Sequence, residues 1–184
     1  KTRSGEYKRS CHESSIRVPT VLTGPGFKGG GMIHELVNLV DLPPTLLDAA
    51  GIAVPDTMAG RSLLPLVRDP AGTEWPDDVF VQISEAETGR CIRTKRWKYS
   101  VTAERDGKRG DADTYTEAFL YDLYADPYEL ENRIDLESHS AVRARMRQRL
   151  LRHIRAVEGK EPEIVEIETR PGGQKRVSDD EVET

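Results

Sequence analysis

The chain has 184 residues, 36% hydrophobic and 32% charged, with a net charge of −5 and a mean hydropathy of −0.60. That length suits one domain or one and a fraction, and the negative balance excludes the electrostatic footprint of a nucleic-acid binder. No apolar run approaches the roughly 18 residues a membrane span requires.

In chain order, Lys1 and Thr2 carry neither a start signal nor an apolar opening, so a truncated beginning is expected, and neither compartment nor oligomeric state is assigned. Residues 16–23 read as a buried strand ended by Gly24, Pro25 and Gly26. Residues 27–31 are a glycine-rich loop, and the apolar run 32–40 suits a second strand. Asp41 then stands as a helix N-cap with Pro43 and Pro44 in the first turn, and Leu46, Leu47 and Ala50 give that helix an apolar face. Gly51 follows as its C′ residue. Residues 61–67 suit a short helix, and 68–78, with Pro70, Gly72 and Pro76, a linker.

Beyond residue 79 the pattern changes to short β-rich runs at 79–83, 91–94, 97–101 and 119–123, which predict an antiparallel sheet. Residues 138–157 predict a helix, with Val142, Met146, Leu150 and Ile154 four apart on one face and arginines on the rest. Residues from 160 onward are polar and acidic and are expected to be mostly disordered. The resulting division is an α/β part over 1–68, a linker over 69–78, a small α+β subdomain over 79–158 and a tail over 159–184.

Generic motifs carry little. Gly24, Gly26 and Gly29 fit a dinucleotide-binding spacing, but no helix opens behind them to hold a pyrophosphate. Cys11 and Cys91, the two cysteines, make neither a zinc site nor a disulfide framework; free buried thiols are expected, with a single bridge left open. The Asp179-Asp180 dyad and the arginines of 143–155 read as solvated charge.

Five segments together point further. These are Lys8-Arg9-Ser10-Cys11-His12-Glu13-Ser14-Ser15-Ile16-Arg17-Val18-Pro19, Leu39-Val40-Asp41-Leu42-Pro43-Pro44-Thr45-Leu46-Leu47-Asp48-Ala49-Ala50-Gly51-Ile52, and Met58-Ala59-Gly60-Arg61-Ser62-Leu63-Leu64-Pro65-Leu66. Ile92-Arg93-Thr94-Lys95-Arg96-Trp97-Lys98-Tyr99 and Leu120-Tyr121-Asp122-Leu123-Tyr124-Ala125-Asp126-Pro127-Tyr128-Glu129-Leu130-Glu131-Asn132 complete the set. In this order they resemble the C-terminal portion of a sulfatase of the alkaline-phosphatase superfamily. The resemblance implies the edge of an alkaline-phosphatase-like α/β sandwich followed by a small antiparallel sheet with a C-terminal helix.

It also implies hydrolysis of sulfate esters or sulfamates, with a small-molecule or carbohydrate sulfate as substrate. The family's nucleophile is a formylglycine made from Cys or Ser in a Cys/Ser-x-Pro/Ala-x-Arg motif, assisted by calcium. Neither Cys11 nor Cys91 fits that motif, so both groups are expected upstream and no metal ligand is assigned to this chain. This fragment alone is expected to be inactive.

Lys8 matches the family lysine that contacts the sulfate, a role suited to a hydrated ammonium on a flexible stem. His12 is a candidate acid or hydrogen-bond donor, with a packed structural histidine as the alternative. Glu13 and Arg17 read as a pair that holds the loop. Lys95 and Lys98 are candidate substrate contacts, although strand alternation with Trp97 and Tyr99 inward and the cations outward accounts for them equally. Two other functions stay open: a phosphate or phosphonate ester hydrolase of the same superfamily, and a non-catalytic module that reuses the fold.

Overall fold

A computed structural model describes residues 10–27, 30–84, 87–104, 110–172 and 177–183. The chain divides into two compact units: Pro19–Val79, and the residues from 80 onward together with the N-terminal stretch up to Val18.

The first unit is built on two helices, α2 (Leu42–Ala49) and α3 (Leu64–Arg68); α1 (Glu13–Ile16) belongs to the other unit. Neither 16–23 nor 32–40 forms a strand; the second ends in a 3-10 turn, Leu39–Asp41. Val21, Met32 and Leu39 are exposed, and among the described residues of this unit no sheet is present for 19–23 or 32–40 to join. Gly24 and Phe27 instead close a tight turn through a 3.0 Å backbone hydrogen bond.

Asp41 occupies the cap position of α2, but its side chain does not cap the helix. Its carboxylate accepts the backbone N–H of Asn38 at 2.8 Å and that of Arg61 at 3.0 Å. The expected apolar face is not the buried one: Pro44 and Thr45 are buried, whereas Leu46 is exposed. Gly51 stands at φ 71°, the left-handed stop predicted for it. Gly60 lets two backbones touch, since a Cβ there would lie 1.9 Å from the Val40 carbonyl oxygen. Trp75 donates its indole N–H to the Leu36 carbonyl at 2.8 Å, with Arg61 over its ring.

The second unit is a five-stranded sheet in the order β1 (Asp78–Ser84), β2 (Thr88–Thr94), β3 (Trp97–Ala103), β4 (Thr114–Asp122) and β5 (Glu163–Val165). Strands β2, β3 and β4 pair antiparallel, while β5 runs parallel to β4. The sheet is therefore mixed at one edge rather than purely antiparallel.

One face is covered by α4 (Ser140–Glu158). Val142, Met146, Leu150 and Ile154 form its buried stripe, as their spacing requires, and pack with Ile92, Trp97, Tyr99, Val101, Tyr115 and Leu120. Gly159 at φ 68° ends the helix. The other face carries a second apolar cluster of Cys11, Cys91, Phe119, Tyr121 and Leu123. Both cysteines are buried and free.

The tail differs from the expectation of disorder. Besides β5 it forms α5 (Asp179–Val182), opened by a Ser178–Glu181 capping box. Ile164, Ile167, Val177 and Val182 pack against the main core. The Trp97 indole N–H donates to the Glu181 carbonyl at 2.7 Å, and Arg96 pairs with the Glu181 carboxylate. A few well-spaced apolar residues and basic partners elsewhere in the chain thus anchor a segment whose composition alone reads as unstructured.

Candidate functional site

Residues 10–16 sit on the face of the sheet opposite α4. Cys11 is buried in the second apolar cluster, and His12 lies against Phe119 with ring centroids 4.7 Å apart. The short helix α1 begins at Glu13, whose side chain turns to the sheet and away from Arg17. Arg17 is exposed. The partners of Glu13 are Arg93 on β2, whose Nε and Nη2 donate to the two carboxylate oxygens at 3.1 and 3.3 Å, and Lys98 on β3, whose Nζ donates to Oε1 at 3.0 Å. The expected Glu13–Arg17 pair is thus replaced by pairing to the sheet, because the carboxylate points inward while the arginine leaves the turn toward solvent.

Lys98 also pairs with Glu129, and the other Glu129 oxygen accepts the backbone N–H of Glu13 at 2.7 Å. That N–H is one of the unpaired donors at the start of α1. Glu129 is the one non-glycine with positive φ (58°) among the described residues, and it follows a turn closed by its own N–H on the Asp126 carbonyl. Two carboxylates and two cations therefore meet largely shielded from solvent, Lys98 and Glu129 most fully. Such charges are costly to bury alone and tolerable when paired. Burial pushes the Glu13 carboxyl up, but Arg93 and Lys98 outweigh it and the net displacement is below the usual glutamate range.

His12 is displaced below the usual histidine range, chiefly by burial. Tyr121, whose hydroxyl is 3.5 Å from His12 Nε2, is pushed up to about 12 by burial and by the charge of Glu129. Both shifts favour the uncharged forms, which suits the pair to hydrogen bonding. Cys91 is raised well above the usual thiol range by burial, with Cys11 beside it.

The sequence-derived candidates fall in different places. Lys8 lies outside the described residues. His12 is half-buried on the sheet face. Lys95 is exposed at the β2–β3 turn, next to Arg96, which grips Asp122 through two hydrogen bonds of 3.1 and 2.9 Å. Lys98, expected to point outward, is fully buried between Glu13 and Glu129. Alternation was the right rule, but the outward face of β3 is itself covered, by residues 10–16. Arg93 and Glu129 were not singled out, although both stand inside segments that carried the family resemblance; their pairing joins elements too distant in sequence for any spacing rule. Asp126 is a turn former, accepting the Glu131 N–H at 2.8 Å.

Residues 5–156 match the family described as N-sulphoglucosamine sulphohydrolase, C-terminal. Arylsulfatase K of Mus musculus is 36% identical over 135 residues, covering 68% of this chain and 23% of that protein. A putative sulfatase from Bacteroides thetaiotaomicron superposes with a TM-score of 0.51 at 32% identity, over 64% of this chain and 24% of that one. The structure of BT1596, a 2-O GAG sulfatase, gives a TM-score of 0.51 at 33% identity over the same shares, 64% and 24%. The chain spans about a quarter of the length of the curated relatives it matches. The α/β architecture with a small sheet and C-terminal helix agrees with the alkaline-phosphatase-like fold of these neighbours. With its ordered motifs, its sheet-and-helix unit and a match that runs through most of its length, the chain belongs to the sulfatases, in the N-sulphoglucosamine sulphohydrolase C-terminal family.

Proposed function

We propose that the protein of which this chain forms the C-terminal portion hydrolyses sulfate esters or sulfamates of carbohydrates. The observation that carries the reading is the family match across residues 5–156, supported by likeness to the 2-O GAG sulfatase. In this reading Lys8 contacts the sulfate, where a preorganised cation offsets the charge on the sulfur-bound oxygens. His12, two residues from Ser10 at the start of the described chain, supplies a neutral hydrogen-bonding group. Lys95, at an exposed turn, is retained as a contact for an anionic substrate. Residues 19–68 complete part of the main α/β domain, and exposed Val21, Met32, Leu39 and Leu46 offer the apolar surface that would pack on the rest of that domain.

A formylglycine would supply the attacking hydrated aldehyde, and calcium would draw charge from the sulfate oxygens. Among the described residues no three His, Cys, Asp or Glu groups converge on a metal position. Neither group is therefore assigned to these residues, and no step is routed through them.

The test is sulfate release by the full-length protein from N-sulfoglucosamine and a 2-O-sulfated disaccharide, with 4-nitrophenyl phosphate as the competing class. Lys8→Ala is expected to lower kcat/KM by roughly 100-fold, the loss typical of one charge-stabilising contact. Unchanged kinetics would remove Lys8 from the site, and a preference for the phosphate ester would replace the sulfatase reading.

A further inference from the structure

The strongest unexplained feature is the buried set Glu13, Arg93, Lys98 and Glu129. Lys98 is fully inaccessible, and the side chains of Glu13 and Glu129 are 9% and 4% exposed. Fold stability alone does not call for it, since a buried ion pair is often matched or exceeded by well-packed apolar residues of similar volume. What the set does have is direction. Arg93 and Lys98 on the sheet and Glu129 in the turn at residues 126–129 all converge on Glu13.

Resting on the function proposed above, we infer that Lys98 and Glu129 are positioning residues: they seat the segment that follows Lys8 and contains His12 so that its substrate-facing groups are held in place. Three contacts fix the segment's position and rotation. Glu129 holds the Glu13 backbone N–H at 2.7 Å, Lys98 holds the Glu13 carboxylate at 3.0 Å, and Arg93 grips both oxygens of that carboxylate. His12 is the next residue along the chain, and its ring rests on Phe119 of the same face. Because His12 adjoins Glu13 in the chain, displacing Glu13 displaces the origin of the His12 side chain. A misplacement of about 1 Å in such groups costs on the order of 100-fold in rate.

The set was not visible as a functional element in the sequence because its members come from three separate stretches. The turn that presents Glu129 holds a non-glycine in the left-handed region, a strained geometry that persists where surrounding contacts demand it. Here that demand is the reach of one carboxylate to Lys98 and to the Glu13 N–H together.

The experiment uses the full-length enzyme and a 2-O-sulfated disaccharide, with inorganic sulfate as competitive probe. Lys98→Met and Glu129→Gln each remove one charge at nearly constant volume. Both are expected to lower kcat/KM by roughly 10- to 100-fold and to raise KM and the inhibition constant of inorganic sulfate together, because substrate and sulfate alike meet the segment that carries His12. Arg145→Ala, at an exposed pair with Glu183, is the control and leaves all three constants unchanged. A merely structural role would lower the melting temperature and leave KM and the sulfate inhibition constant of the folded variants as in wild type; that result overturns the inference. Glu129→Gln keeps an acceptor for the Glu13 N–H, so it decides the matter if Lys98→Met does not fold. A wild-type protein that releases no sulfate overturns the functional reading itself, and this inference with it.

Discussion

Replacing Tyr99 by Phe isolates one hydrogen bond in the main core. The Tyr99 hydroxyl donates to Glu117 Oε1 at 3.0 Å, and the Glu117 side chain is 0% exposed. Burial, with the Glu117 charge beside it, drives the phenol far above its usual range, so the hydroxyl remains a donor at any working pH. Hydrogen bonds to charged groups contribute about 1.5–3 kcal/mol. Glu117 keeps two further partners, the Ile167 N–H at 3.1 Å and Arg143 at 3.5 Å. It is therefore not orphaned, and the loss falls in the lower half of that range, about 1.5–2 kcal/mol. For a domain of this size the melting temperature drops by roughly 3–8 °C. Urea unfolding at constant m gives the free energy directly. A double-mutant cycle with Glu117→Gln should return a coupling of about 1 kcal/mol or more. A loss below about 0.5 kcal/mol, or strict additivity with Glu117→Gln, would refute the reasoning.

Gly60→Ala places a Cβ 1.9 Å from the Val40 carbonyl oxygen, so the two backbones must part. The expected loss is about 1–3 kcal/mol, read by thermal unfolding, and a neutral result would mean the close approach is not kept in solution. Leu150→Ala, at a fully buried position, should cost about 2–5 kcal/mol, whereas Leu151→Ala, half-buried one residue on, should cost clearly less. Equal losses would place the helix face wrongly. For Glu13, burial raises the carboxyl and the Arg93 and Lys98 cations bring it to a net value below that of the unfolded chain. Its contribution is therefore present above the ordinary glutamate range and is lost as pH falls through the folded value. Amide hydrogen exchange at Ile16 and Arg17, whose N–H groups close α1 onto His12 and Glu13, should accelerate in acid before that of α4, and simultaneous loss of protection in both would count against the linkage.

Legibility in the sequence followed the range of the interactions. The α4 stripe was readable because its periodicity is local and its burial complete. The four strands from β1 to β4 were readable as β-rich runs, with ends misjudged where β4 begins in the polar loop at Thr114. The apolar runs at 16–23 and 32–40 read as strands by composition, but a strand requires a partner, and neither run is paired among the described residues. The tail was misread because its anchors, Arg96 and Trp97, lie more than 80 residues away from Glu181. Lys98 was misread for the same reason, since the layer that buries it comes from the opposite end of the chain. The motifs marked the segments that the structure brings together around Glu13, while the pairings inside them depended on contacts no spacing rule reaches.

The link between Glu13 and Glu129 closes a loop of 116 residues. A ribosome delivers the N-terminal side of that loop first, and α1 has only four residues, far too few to persist as an isolated helix. Residues 12–16 thus gain their seat only after β2, β3 and the turn at 126–129 have emerged. A chain ending before residue 129 would carry residues 10–16 without the Glu129 contact that helps to seat them.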